Sequence, residues 1–199
     1  MMSIKLFRHF IIGFATLFLL AHCSEQGVSP NLKEASELTA EGWQAFENGE
    51  YGMAAAKFDS AIQSDANFVD AYNGAGWAYS RLEEFNLALN KFETALSKTA
   101  DLIEAQAGTV LLFHVLNRFE EAIEAALALL EVAPNFMFSH DPAIDSLDIR
   151  ITLAISFYSV GDFARSAGQM DIIDPDNKPH STEPDGLIKE IMRFFGLIR

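Results

Sequence analysis

The chain has 199 residues, half of them hydrophobic, and 28 acids against 14 lysines and arginines give a formal charge of −14. Such a surface repels phosphate backbones, which argues against nucleic acid as a partner. One cysteine rules out an internal disulfide, and the length suits one continuous domain with a sizeable core. Nowhere do Val, Ile and Thr alternate with polar residues as a half-buried strand requires, so the expected class is all-α.

Residues 1–22 read as a signal peptide, with Lys5 and Arg8 preceding an apolar run from Phe10 to Ala21. That run is 12 residues long, short of the roughly 20 a membrane-spanning helix needs. It ends in Leu20-Ala21-His22-Cys23-Ser24, which resembles a bacterial lipobox with Cys23 as the lipidated residue. His22 stands where that motif usually has Gly, Ala or Ser. The resemblance implies an anchor in the cell envelope, and Ser24 after the cysteine implies the outer membrane. The alternatives for Cys23 are an intermolecular disulfide and a thiol lost with the signal. Several acyl chains, at about 0.8 kcal/mol per buried methylene, would make the tether permanent. Residues 23–34, with Gly27 and Pro30, are expected to form that tether. Cleavage lowers the basic count from 14 to 12 against 28 acids, a charge of −16.

From there a step of 34 residues governs the chain. Tyr51, Phe85 and Phe119 keep it, as do Ala54, Ala88 and Ala122, and Gly42 and Gly76 with Val110 in the third place. A period of this size signals stacked helix–turn–helix units, none able to bury its apolar face alone. Small residues let paired helices approach, and Phe58 and Phe92 fill the space between neighbouring pairs. Asn48-Gly49 and Glu83-Glu84 mark the turns inside two units.

Ala75, Gly76, Tyr79, Phe85, Ala88, Phe92 and Ala95 together resemble one complete tetratricopeptide repeat. Units at about 35–68, 69–102 and 103–136 are similar to it, although Ala66 and Ala100 replace the proline usual at the unit's end. The resemblance implies a right-handed α-α superhelix of about three to four helix hairpins plus a C-terminal helix. It also implies that the first helix of each unit lines a concave, partner-binding side.

Residues 137–146 form an insertion around His140-Asp141-Pro142, expected to be either a binding-face loop or a tolerated surface loop. Residues 147–178 read as a degenerate fourth unit, in which Gly161-Asp162-Phe163 repeats the turn signal and Asp174-Pro175 ends it early. In the C-terminal segment 179–199, Leu187, Ile188, Ile191, Phe194, Phe195 and Ile198 follow at helical spacing. This last helix is expected to seal the final unit, fold into the concave side, or dock elsewhere.

The candidate binding row follows the same step. Trp43, Trp77 and Leu111, then Ile155, hold equivalent places in successive first helices. Phe46, Ser80, His114 and Tyr158 lie one turn further, and Arg81 is an isolated base. Aromatic rows of this kind supply binding hot spots, but they also serve as packing between helices. Asp70 and Glu104 edge the row, so a peptide with apolar anchors and basic flanks suits it better than an acidic tail. His114, His140 and His180 make no zinc pattern, and Asp171, Asp174, Asp176 and Asn177 lack the order of a calcium loop. Neither a metal nor a cofactor is expected, nor is catalysis, because no nucleophile or phosphate-binding motif is present. The expected function is an envelope adaptor binding proteins or peptides in an apolar groove. The alternative is a carrier of an apolar small molecule or lipid in a groove closed by the C-terminal helix. Oligomeric state is left open.

Overall fold

The structure, a computed structural model, describes residues 30–197, so Cys23 and the signal segment lie outside it. Nine α-helices follow one another among the described residues: α1 (Pro30–Glu47), α2 (Tyr51–Ser64), α3 (Val69–Arg81), α4 (Phe85–Lys98), α5 (Ile103–Val115), α6 (Phe119–Val132), α7 (Ser146–Ser159), α8 (Phe163–Ile173) and α9 (Pro184–Phe194). Each helix packs on the next through α8. First helices also pack on following first helices, α1 on α3, α3 on α5 and α5 on α7, and no comparable packing joins consecutive second helices. Such one-sided closeness bends the stack into a superhelical all-α solenoid with the first helices inside.

Each hairpin turns in the same way. Gly49, Glu83, Asn117 and Gly161 all have positive φ, at 78°, 61°, 58° and 82°. The next residue's N–H reaches back five residues, Glu50 to the Ala45 carbonyl at 2.8 Å and Glu84 to the Tyr79 carbonyl at 3.0 Å. This is the left-handed helix ending that satisfies the last free carbonyls. Gly49 meets its demand without cost, whereas Glu83 carries a Cβ into a region that disfavours it.

Hairpins lock through rings pressed onto glycines. A Cβ added to Gly42 would lie 2.7 Å from Phe58 Cε1, and one added to Gly74 would meet the same ring closer still. Gly76 and Gly108 hold Phe92 in the same way. Both rings are fully buried. At the next step Ala126 takes the ring's place and Val110 that of a glycine, so bulk moves from the second helix to the first.

The C-terminal helix seals the last hairpin. Leu187 and Ile191 of α9 join Ala154, Ala167 and Met170 in one buried cluster, against which Ile155 and Tyr158 pack. The Tyr158 hydroxyl donates to the Pro184 carbonyl at 3.4 Å. Ahead of α9, buried His180 is clamped by Asp171, which accepts from its backbone N–H and pairs with its ring, both at 2.8 Å. Those bonds hold the Asp171 carboxyl below the usual range. Asn177 donates to Asp174, so the acidic cluster is engaged in local contacts.

Gly74→Ala should lose about 1–3 kcal/mol of stability in urea melts, because the Phe58 ring has nowhere to go. Glu83→Gly should instead gain about 0.5–1 kcal/mol by relieving the left-handed turn.

Candidate functional site

The aromatic residues at the start of the candidate row are covered. Trp43, Phe46 and Trp77 are all buried, with Trp77 only 3 % exposed. Their cover is the insertion. Phe138, fully buried, stacks on Trp77 with centroids 4.1 Å apart and 19° between planes. It meets Trp43 and Phe46 edge-on at 6.0 and 5.9 Å. His140 lies flat on Trp43, with centroids 3.7 Å apart and planes 3° from parallel. The loop packs against the inward side of the first helices, over Trp43, Phe46 and Trp77.

Polar ties ring the aromatic stack. Arg81 pairs with Asp141. Glu47 faces His140 Nδ1 at 2.8 Å, and Glu104 accepts from the Ser139 hydroxyl at 2.6 Å and its N–H at 3.2 Å. The edging acids therefore have partners: Asp70 accepts from the Trp43 indole at 3.1 Å, and Glu104 also accepts from the Asn73 amide at 3.0 Å. Side chains at these rim pairs are partly solvated, and such pairs contribute about 0–1 kcal/mol each.

The loop's conformation is set at its base. Met137 and Asp145 form an antiparallel bridge, Ser146 N–H donates to the Phe136 carbonyl at 2.8 Å, and Phe138 N–H to that of Ile144 at 2.9 Å. Asp145 then opens α7 with a capping box, accepting from Leu147 N–H at 2.7 Å while its own N–H donates to Asp148 at 2.9 Å. Asp148 is thus spent on the cap.

Beneath the loop the fit is incomplete. Among the described residues, Trp77 Nε1 and Asn73 Oδ1 have no hydrogen-bond partner, although both residues are almost wholly buried. A buried polar group left in this state costs about 1–3 kcal/mol. Next to Trp77 an apolar cavity of about 170 Å³ stays open, lined by Arg81, Leu111, Val115 and Ile144 among others.

The far end of the row differs. His114 Nδ1 meets Ser156 Oγ at 3.0 Å, joining α5 to α7, and its ring lies 5.5 Å from that of Phe119. Ile155 and Tyr158 pack against the cluster containing α9. The structure thus groups Trp43, Phe46, Trp77 and Arg81 under the insertion, with Leu111 at the cavity, and leaves His114, Ile155 and Tyr158 beyond it. Sequence reasoning missed Phe138, Ser139 and Glu47. The signal for the first was two phenylalanines, Phe136 and Phe138, in a stretch that a solvated loop would fill with polar residues.

Burial lowers the His114 pKa. A folded-state value below the unfolded one means this site's contribution is whole above about pH 6.5 and is lost as pH falls towards the folded value. Urea midpoints should therefore drop less between pH 7.5 and pH 5 in His114→Gln than in the wild type; equal drops would remove His114 as a cause.

No family model matches the sequence, and no curated protein matches it. Among solved structures, MamA of AMB-1 superimposes with a TM-score of 0.63 at 17% identity, covering 82% of this chain and 95% of that one. The first TPR of Spaghetti (RPAP3), bound to the HSP90 peptide SRMEEVD, gives 0.51 at 23% identity over 55% of this chain and 86% of its own. The Arabidopsis OM64 TPR domain gives 0.51 at 18% identity over 52% and 86%. At these identities the likeness is one of fold, and the fold is the tetratricopeptide-type helical solenoid.

Proposed function

We propose that the chain is a non-catalytic adaptor of the bacterial cell envelope, tethered through a lipid on Cys23, which holds partner proteins or peptides along its concave side. One observation carries the binding half: the inner row already accepts a turned stretch of polypeptide, residues 138–141 of the chain itself. A solenoid neighbour that is peptide-bound supports the same use. The lipobox-like Leu20 to Ser24 supports the tether. An acidic tail like that neighbour's is a poor guest here, because Glu47, Asp70 and Glu104 edge the row and Arg81 is its lone base.

The carrier alternative requires the C-terminal helix to close the groove over a ligand-sized space. Instead α9 packs on the last hairpin, and the cavity beside Trp77 is about 170 Å³. Small-molecule sites generally run from about 300 to 1,000 Å³. The peptide reading is the better supported of the two.

Cross-linking in the native envelope, followed by identification of the captured proteins, tests the adaptor. Arg81→Glu with Val115→Arg alters the groove at exposed positions and should abolish capture with helicity unchanged. Capture by that variant at wild-type levels would place binding elsewhere. Cys23→Ala should move the protein to the soluble fraction, and continued sedimentation with membranes would refute the lipid tether.

A further inference from the structure

Resting on the concave-side reading, the structure of the insertion says what kind of guest the groove takes and what stands in its way. The loop reaches its place as a closed unit, with its neck held by the Met137–Asp145 bridge and the Ser146-to-Phe136 bond. Lifting residues 138–141 breaks the Phe138-to-Ile144 bond and exposes Phe138, while the Met137–Asp145 bridge and the Ser146-to-Phe136 bond can stay. Among the described residues the Trp77 indole N–H lacks an acceptor and Asn73 Oδ1 lacks a donor, and the cavity beside Trp77 is unfilled. A side chain larger than those of the loop would occupy the space.

We propose that residues 138–141 are an internal competitor for a segment of a partner protein, and that this segment repeats their order of chemistry. The order is an aromatic residue, a hydroxyl donor, an imidazole or cationic side chain, and a carboxylate. Each place answers to a fixed group of the groove. Trp77, with Trp43 and Phe46 edge-on, receives the aromatic ring. Glu104 takes the donor, and Glu47 with the face of Trp43 takes the imidazole or cation. Arg81 takes the carboxylate. A wholly acidic segment meets Glu47 and Glu104 with like charge, and a wholly apolar one strands Arg81 and both acids.

Trp43 and Trp77 are the chain's two tryptophans, so intrinsic emission reads occupancy of this place directly. The probe is a fluorescein-labelled peptide with the sequence of residues 136–145, titrated into the full chain by anisotropy. Ser139→Ala with Asp141→Asn weakens the loop's rim ties and leaves Phe138 in place. This variant should bind the peptide more tightly than the wild type by up to about tenfold, a difference of about 1.4 kcal/mol. Its tryptophan emission should shift red before peptide is added and return on binding. A peptide with alanine for its Phe138 should bind at least about tenfold more weakly. Equal affinity of wild type and variant, or equal binding of the alanine peptide, overturns the proposal. So does light scattering that shows the variant dimerising by exchange of loops, since the guest would then be a second copy.

Phe138→Ala, checked by far-UV circular dichroism, is a second released chain and should rank with the rim variant. The two readings fail separately. Envelope cross-links lost in Arg81→Glu/Val115→Arg but not increased by the rim substitutions would keep the adaptor and remove the competitor. Peptide competition without groove-dependent cross-links would do the reverse.

Discussion

Two phenylalanine rings and four missing methyl groups hold this stack together. Phe58 sits against Gly42 and Gly74, Phe92 against Gly76 and Gly108, and in each case a Cβ would overlap the ring. Each ring belongs to a second helix but lies between two first helices, so a single side chain fixes both the pairing within a hairpin and its seat on the next. Close approach of the first helices follows directly, and with it the curvature. A wall with larger residues at those glycines would be flatter, and its inner face would be too wide for one aromatic ring to touch Trp43, Phe46 and Trp77 together.

That curvature explains why the groove is occupied. Rows of aromatic side chains on a concave surface are costly to leave in water, and Phe138 removes three of them from it at once. The rim contacts Arg81–Asp141, His140–Glu47 and Ser139–Glu104 lie where water competes, so each adds register and at most about 1 kcal/mol. Capping by Asp145 and Asp148 fixes the loop's exit, and the bridge at Met137 fixes its entry. The insertion is thus shaped by its own ends before it touches the groove.

Much of this was legible because its causes are local. The 34-residue step reports equivalent environments, so the hairpins, the turn at Gly49 and the inner line of Trp43, Trp77 and Leu111 could be read from spacing alone. So could the apolar side of α9, carried by Leu187 and Ile191. Where the insertion goes could not be read in this way. His140 reaches Glu47 across 93 residues of sequence, and that meeting depends on the summed bend of three hairpins, which no window of sequence contains. Accordingly the cover over the row expected to face a partner was unforeseen. The lipid site proposed at Cys23 rests on the sequence pattern at residues 20–24.

Repeat stacks ordinarily behave as one-dimensional chains, in which each unit feels only its neighbours and fraying starts at an end. The contact between His140 and the Trp43–Glu47 stretch breaks that rule, because it ties the first hairpin to the junction before the fourth. Unzipping from the amino-terminal end must therefore undo a distant strap as well as one interface, and the units in between melt with it. A molecule that lifts the strap would leave the helices in place but return the wall to nearest-neighbour behaviour, loosening its cooperativity at the moment it engages.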